Sequence, residues 1–176
     1  MDIDHSDGMP RVKVTPEMRR EMEALYLEKF EKGNRLNSHT VSMKSESRKA
    51  GILGELMFQA LYPTAMVSPV LAYDFVYKGK RVDVKCKCRT EAPSWSQEAS
   101  IYAYQLQKRG GDLYYFMSTT PQFEYVWLCG YISRNELLTH PRRKLWHAGE
   151  IDSANGKRFA MDTLNLKYTS LKHCEF

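Results

Sequence analysis

Hydrophobic positions recur with helical spacing in two stretches of the first third of the chain. The first follows Thr15-Pro16, where a threonine cap precedes a proline at the first helical position, and it runs to Gly33-Asn34. The second covers about residues 47–61 and has a broad apolar face. Both stretches predict helices, and residues 1–14 ahead of them are predicted to be a tail.

The pattern then changes to the alternation that is typical of β-strands. The strands and helices predicted after residue 61 are a short strand near 65–68, a hairpin over 73–87, a helix over 99–109, strands over 113–118 and 125–132, and a short helix that Ser133 and Glu136 cap. This order predicts an α/β or α+β fold with a central mixed β-sheet flanked by helices, in a single domain over 15–176.

The predicted hairpin separates charged from apolar side chains. If Gly79-Lys80 is its two-residue turn, Asp74 lies opposite Lys85 and Val76 lies opposite Asp83. The residues of the charged face are then Asp74, Arg81, Asp83, Lys85 and Lys87. The reverse face is apolar, which indicates that the hairpin belongs to a core sheet.

Two acids and a lysine on one face are the groups that metal-dependent phosphodiester cleavage needs. Carboxylates bind Mg²⁺, the ion lowers the pKa of a bound water, and an ammonium group can orient that water. Asp74, Asp83 and Lys85 supply this set, the carbonyl of Val84 is a candidate further ligand, and Glu55 interrupts the apolar helix upstream. The alternative is a solvated face with an ordinary ion pair, in which Glu55 is a surface residue.

The segments GELMFQALYP, YDFVYKG and RVDVKCK together resemble the motifs of the PD-(D/E)XK nuclease superfamily, in particular its small phage-type and resolvase-like members. The resemblance covers about residues 47–132 and departs from the pattern where Tyr73 stands in place of proline. It implies a restriction-endonuclease-like core and a deoxyribonuclease, acting as an endonuclease, that uses Mg²⁺ or Mn²⁺. It also implies that Asp74 and Asp83 bind the metal, that Lys85 is catalytic, and that Glu55 is an accessory ligand.

Charge favours a polyanionic partner such as DNA, because 26 basic and 21 acidic residues give a net charge of +5. Besides Lys87, the candidate phosphate-contacting residues are Lys44 and Arg48 in one stretch and Arg142, Arg143 and Lys144 in another. Trp146 follows the second stretch and is a candidate for stacking on a base. A solvated loop with Trp146 packed in the core is the alternative.

Two functions remain open from the sequence: a metal-dependent nuclease, and a non-catalytic nucleic-acid-binding module that keeps the nuclease fold. No apolar run has the length of a membrane span, the first residues do not resemble a secretion signal, and the four cysteines lack paired metal-site spacing. We therefore expect a cytoplasmic protein with reduced thiols, compatible with a phage-encoded enzyme in the host cytoplasm. A homodimer is compatible with cutting two DNA strands.

Overall fold

The structure is a computed structural model, and it describes residues 1–6, 8–31, 45–107, 110–153 and 156–173. The contacts within the chain divide it into two compact units, where the sequence predicts one domain. The first unit comprises Met1–Ala65, Val84–Pro93 and Phe116–Cys129. The second comprises Met66–Asp83, Ser94–Tyr115 and Gly130–Phe176.

The fold is mixed α and β, as the sequence predicts. The helices are α1 (Pro16–Tyr26), which continues into a π-helical turn over Leu27–Glu31, α2 (Ser45–Leu61), α3 (Ala103–Gln107) and α4 (Arg134–Thr139). The strands are β1 (Ile3–Asp4), β2 (Arg11–Lys13), β3 (Met66–Val67), β4 (Phe75–Tyr77), β5 (Lys80–Cys88), β6 (Glu98–Tyr102), β7 (Leu113–Thr119), β8 (Tyr125–Ser133), β9 (Lys144–Trp146), β10 (Ile151–Asp152), β11 (Lys157–Arg158) and β12 (Thr163–Lys167).

The largest sheet has seven strands in the order β1-β2-β8-β7-β5-β4-β3. The pairs β1–β2, β2–β8, β3–β4 and β4–β5 are antiparallel. β5 and β7 run in the same direction, because the amide of Asp112 bonds Arg81 near the start of both strands and the amide of Arg89 bonds Thr119 near their ends. The sheet is therefore mixed, which agrees with the predicted fold class.

Local capping signals position two of the helices as predicted, and a third helix lies where its apolar face predicts it. Thr15 accepts a hydrogen bond from the amide of Met18 at the start of α1, and Pro16 fills the first helical position. α2 covers the predicted 47–61 and begins slightly earlier. At α4, Ser133 and Glu136 form a complete capping box.

The prediction of a tail over residues 1–14 is wrong. β1 and β2 form a small antiparallel ribbon, and β2 continues it onto β8 through the register Val12 with Val126. Val12 is almost fully buried. Burial of a short apolar segment against a distant strand orders it, although its own sequence is polar on average.

The prediction of a helix over 99–109 is wrong at its start. Residues of this segment form β6, which pairs with β12, and among its described residues the helical part is α3. β12 also pairs with β9, which gives a three-stranded sheet in the order β6-β12-β9. The C-terminal region therefore contains the strands β9, β10, β11 and β12.

Within the described ranges, no helix is both long and apolar enough to span a bilayer. Among the described residues, no disulfide joins Cys86, Cys88 or Cys129.

Candidate active site

The hairpin of β4 and β5 turns one residue earlier than the sequence predicts. Lys78 and Gly79 form its turn, and both have positive φ angles, 47° and 72°. A two-residue type I′ turn requires positive φ at both central residues, and such turns match the twist of the flanking strands. The strand pairs are consequently Tyr77 with Lys80, Val76 with Arg81, and Phe75 with Val82.

The observed register differs by two residues from the one that the sequence predicts. The predicted pairs, Asp74 with Lys85 and Val76 with Asp83, are wrong, because Val76 pairs with Arg81. A shift of two residues leaves the paired side chains on their predicted faces. Asp74 lies in a bend directly before β4, outside the paired residues, and its amide donates to the carbonyl oxygen of Val82 at 2.9 Å. This hydrogen bond places Asp74 at the residue that precedes Asp83, so both candidate acids lie in the same part of the hairpin.

Asp83 lies in the interior, with 7 % of its surface exposed. Gly111 covers it so closely that a methyl group there would lie 3.0 Å from the amide nitrogen and 3.1 Å from Cβ of Asp83. Only a residue without a side chain permits this approach. Gly111 thus packs directly against the backbone and Cβ of Asp83.

Arg81 anchors the chain that follows this glycine pair. Its guanidinium group donates to both carboxylate oxygens of Asp112, at 3.0 Å from Nε and 2.6 Å from Nη2. The backbone amide of Arg81 also donates to Asp112, at 3.0 Å. These hydrogen bonds hold the pKa of the Asp112 carboxyl below its ordinary value. The bidentate pair fixes the segment that lies against Asp83.

Tyr114 lies in β7, two residues after Asp112, and its side chain is fully buried. Its hydroxyl has no hydrogen-bond partner among the described residues. Burial, and then the negative charge of Asp83, raise the pKa of the phenol to about 12. The hydroxyl therefore stays protonated at neutral pH and can act as a hydrogen-bond donor.

From Val84 onward, β5 belongs to the first compact unit, where it packs against α2. A methyl group on Gly54 would lie 2.5 Å from Cβ of Cys86 and 3.5 Å from Cγ1 of Val84. α2 therefore covers the face of β5 that carries Val84 and Cys86. Lys85 alternates with these residues along the strand and is half-buried.

Glu55 follows Gly54 on α2 and is half-buried. Its carboxylate lies 3.9 Å from the ammonium of Lys29, which belongs to the π-helical turn after α1. This ion pair is partly exposed, so its contribution to stability is small. The role of Glu55 as an accessory metal ligand stays a prediction.

The candidate phosphate-contacting residues lie on different parts of the fold. Arg142, Arg143 and Lys144 are exposed at the start of β9, and Lys87 is half-buried on β5. Arg48 lies over the ring of Phe30, 4.9 Å from its centroid. Lys44 lies outside the described residues.

Trp146 is not available for stacking on a base. It is 8 % exposed, and Phe159 stacks on its ring with centroids 4.7 Å apart. The ammonium of Lys144 lies 3.4 Å from the ring centroid. The alternative in which this tryptophan packs in the core describes the structure, and the predicted stacking role is wrong for that reason.

The residues at the hairpin fit a magnesium ion in part. Within the described residues, no group of three or more histidine, cysteine, aspartate or glutamate side chains is arranged to hold a metal ion. Mg²⁺ commonly binds proteins through one or two carboxylates and keeps several water ligands. Asp74 and Asp83 lie in the same part of the hairpin and carry carboxylate oxygens, the kind of ligand that Mg²⁺ prefers.

The sequence motifs contain the two acids but not the residues around them, which are Gly111, Asp112 and Tyr114. The signal for them is the run Gly110-Gly111-Asp112 directly before β7, since paired glycines ahead of a strand indicate close approach by another part of the backbone.

Comparisons with known proteins give no relative for this chain: no protein family model matches it, and no curated protein matches its sequence. The resemblance of its motifs to the PD-(D/E)XK superfamily and the contacts described above are the basis of the functional proposal.

Proposed function

We propose that this protein is a Mg²⁺- or Mn²⁺-dependent deoxyribonuclease with a PD-(D/E)XK type of site, acting as an endonuclease. The observation that carries the proposal is the hydrogen bond from the amide of Asp74 to the carbonyl oxygen of Val82. It brings Asp74 to the part of β5 that continues with Asp83 and, two positions further, Lys85. Asp83 is buried, with 7 % of its surface exposed, so an ion held by its carboxylate would be shielded from bulk solvent.

In this proposal each residue has a separate role. Asp74 and Asp83 would hold the metal through carboxylate oxygens, and the carbonyl of Val84 would be a further ligand. The bound ion would lower the pKa of a water molecule and offset the charge that develops on the phosphate. The ammonium of Lys85 would orient that water for attack on the phosphorus atom, and Glu55 would be an accessory group.

DNA would be held by exposed cations. Arg142, Arg143 and Lys144 are three consecutive exposed basic residues, and such residues contact phosphates without reading sequence. Arg48 and Lys87 are further candidates. Affinity that depends on these residues should fall steeply with salt concentration. Cutting both strands of a duplex would be served by a homodimer, and the proposed place of action is the cytoplasm.

Cleavage assays with conservative variants test the proposal. Purified protein is incubated with plasmid, linear, single-stranded and branched DNA, and with RNA, at varied Mg²⁺ and Mn²⁺. We expect Asp83→Asn, Asp74→Asn and Lys85→Met to lower the rate about a hundredfold or more, because each removes a metal ligand or the charge near the water. The exposed acid Glu91 offers a control, and Glu91→Gln should cleave like wild type.

Full cleavage by Asp83→Asn would refute the assignment. Salt-sensitive DNA binding without cleavage or Mn²⁺ binding would instead favour the second function, a non-catalytic nucleic-acid-binding module. The exposed run Arg142–Lys144 supports this second function, because its contacts with DNA would not depend on the acidic residues.

A further inference from the structure

The buried hydroxyl of Tyr114 is the polar group whose position needs an explanation. Its side chain has 0 % exposure, and the hydroxyl has no hydrogen-bond partner among the described residues. More than about nine in ten buried polar groups in proteins are paired, so an unpaired one indicates a missing partner. Phenylalanine would fill the same space without leaving a donor unpaired.

The hydroxyl lies close to the backbone of Gly110. A methyl group on Gly110 would lie 3.2 Å from Oη of Tyr114, 3.0 Å from the carbonyl oxygen of Gln105 and 3.6 Å from that of Ala72. Because Gly110 has no side chain, these three oxygens approach its backbone closely.

Residues next to this crowded point lie near both candidate metal ligands. Ala72 lies two residues before Asp74, and Gly111, the neighbour of Gly110, contacts Asp83. The charged side chains whose fields act on the phenol are Asp83 and Asp112, opposed by Arg134 and Arg81. Tyr114 thus places a buried hydroxyl beside the glycine pair that contacts Asp83.

We propose that Tyr114 is a positioning residue of the candidate active site, whose hydroxyl donates a hydrogen bond to an oxygen ligand that arrives with the divalent ion at Asp74 and Asp83. The inference rests on the proposed function. The ligand's chemistry is that of an oxygen acceptor, which has two sources: a water of the ion's hydration shell or a non-bridging oxygen of the DNA phosphate.

A permanently bound structural water is the competing explanation, and it makes a different prediction. Such a water would pair with Tyr114 in the metal-free protein, so removal of the hydroxyl would leave that water with one bond fewer. If the Tyr114 hydroxyl is paired only when the metal ion is bound, the metal-free protein has no such hydrogen bond to lose. The stability of the metal-free protein therefore separates the two explanations.

The test compares Tyr114→Phe with Tyr115→Phe. Tyr115 is the next residue of β7, is also buried, and has its ring stacked on Tyr131 at 6.3 Å. Three quantities are measured: the urea midpoint in EDTA, the Kd for Mn²⁺ without DNA by calorimetry, and kcat and KM for DNA cleavage.

For Tyr114→Phe we expect an unchanged or higher urea midpoint in EDTA. If the ligand is a hydration water, the Kd for Mn²⁺ should rise about fivefold, which is the effect of losing one typical hydrogen bond. If it is a phosphate oxygen, the Kd for Mn²⁺ stays constant and kcat/KM falls by a similar factor. Tyr115→Phe should change neither quantity.

A second variant keeps the hydroxyl and crowds it. Gly110→Ala adds a methyl group among the three oxygens, and we expect the same loss of Mn²⁺ affinity or of kcat/KM as in Tyr114→Phe. A lower urea midpoint for Tyr114→Phe, with metal affinity and kinetics equal to wild type, would overturn the inference alone. Wild type that neither binds Mn²⁺ nor cleaves DNA would overturn the proposed function, and the inference would fall with it.

Discussion

We expect alanine at Gly54 to destabilise the protein and alanine at Gly51 to stabilise it, although both glycines lie within α2. In a helix interior, alanine is favoured over glycine by about 1 kcal/mol, because glycine loses more backbone freedom on folding. A methyl group on Gly51 meets nothing within 4 Å. Gly51→Ala should therefore gain most of that amount.

The methyl group on Gly54 would lie 2.5 Å from Cβ of Cys86, well inside the separation of about 3.5–4.0 Å at which carbon atoms attract. Cβ of Cys86 is fixed to the backbone of β5, so α2 or β5 must shift by about 1 Å. Overpacking of this kind costs about 1–3 kcal/mol, and the short distance favours the upper end. After the helix-propensity gain, Gly54→Ala should lose about 2 kcal/mol.

Urea denaturation followed by circular dichroism measures both variants against wild type. We expect the midpoint to fall for Gly54→Ala and to rise for Gly51→Ala at an unchanged slope, so that the two differ by about 3 kcal/mol. A Gly54→Ala variant as stable as Gly51→Ala would refute the close packing of α2 on the Val84 and Cys86 face of β5.

Three further predictions concern caps and ion pairs. Ser133→Ala should lower stability by about 1 kcal/mol, since the cap of α4 is lost, and thermal unfolding at pH 7 measures it. A hydrogen bond from Lys172 lowers the pKa of Glu136 from 4.5 to about 2. Wild type should therefore be more stable than Glu136→Gln above pH 4.5, and this difference in stability should vanish as the pH falls through about 2. The pKa of Asp112 is lowered by Arg81, so the loss caused by Asp112→Asn should likewise be full at neutral pH and shrink below the ordinary value of 3.8. A loss that persists unchanged in acid would contradict either assignment.

Helices with local signals could be predicted from the sequence. Thr15 and Pro16 at the start of α1, and Ser133 with Glu136 at the start of α4, act through residues within one helical turn, so the sequence contains the whole cause. The faces of the hairpin were predictable for the same reason, since alternation is a local property.

Elements that depend on distant partners were not predictable in this way. β6 was predicted to be helical, but its strand state comes from pairing with β12, with Ile101 opposite Leu164. β2 is likewise ordered by β8, more than a hundred residues further along the chain. Tertiary pairing overrides a weak local preference in both cases.

The candidate site also contains features that the sequence predicts and features that it does not. Asp74, Asp83 and Lys85 lie close together in the chain, and their charge pattern was visible, but the register depended on which residues take positive φ. Nothing in the sequence shows that Lys78 rather than Lys80 joins Gly79 in the turn. Tyr114 belongs to a different strand, so its place beside Asp83 follows only from the order of strands in the sheet.

A crystal grown with Mn²⁺ and measured at a wavelength that gives an anomalous signal tests the metal site directly. The proposal predicts one strong anomalous peak with carboxylate oxygens of Asp74 and Asp83 about 2.0–2.2 Å away, close to the distances typical of Mg²⁺. Carboxylates that point apart, with no peak between them at saturating Mn²⁺, would contradict it.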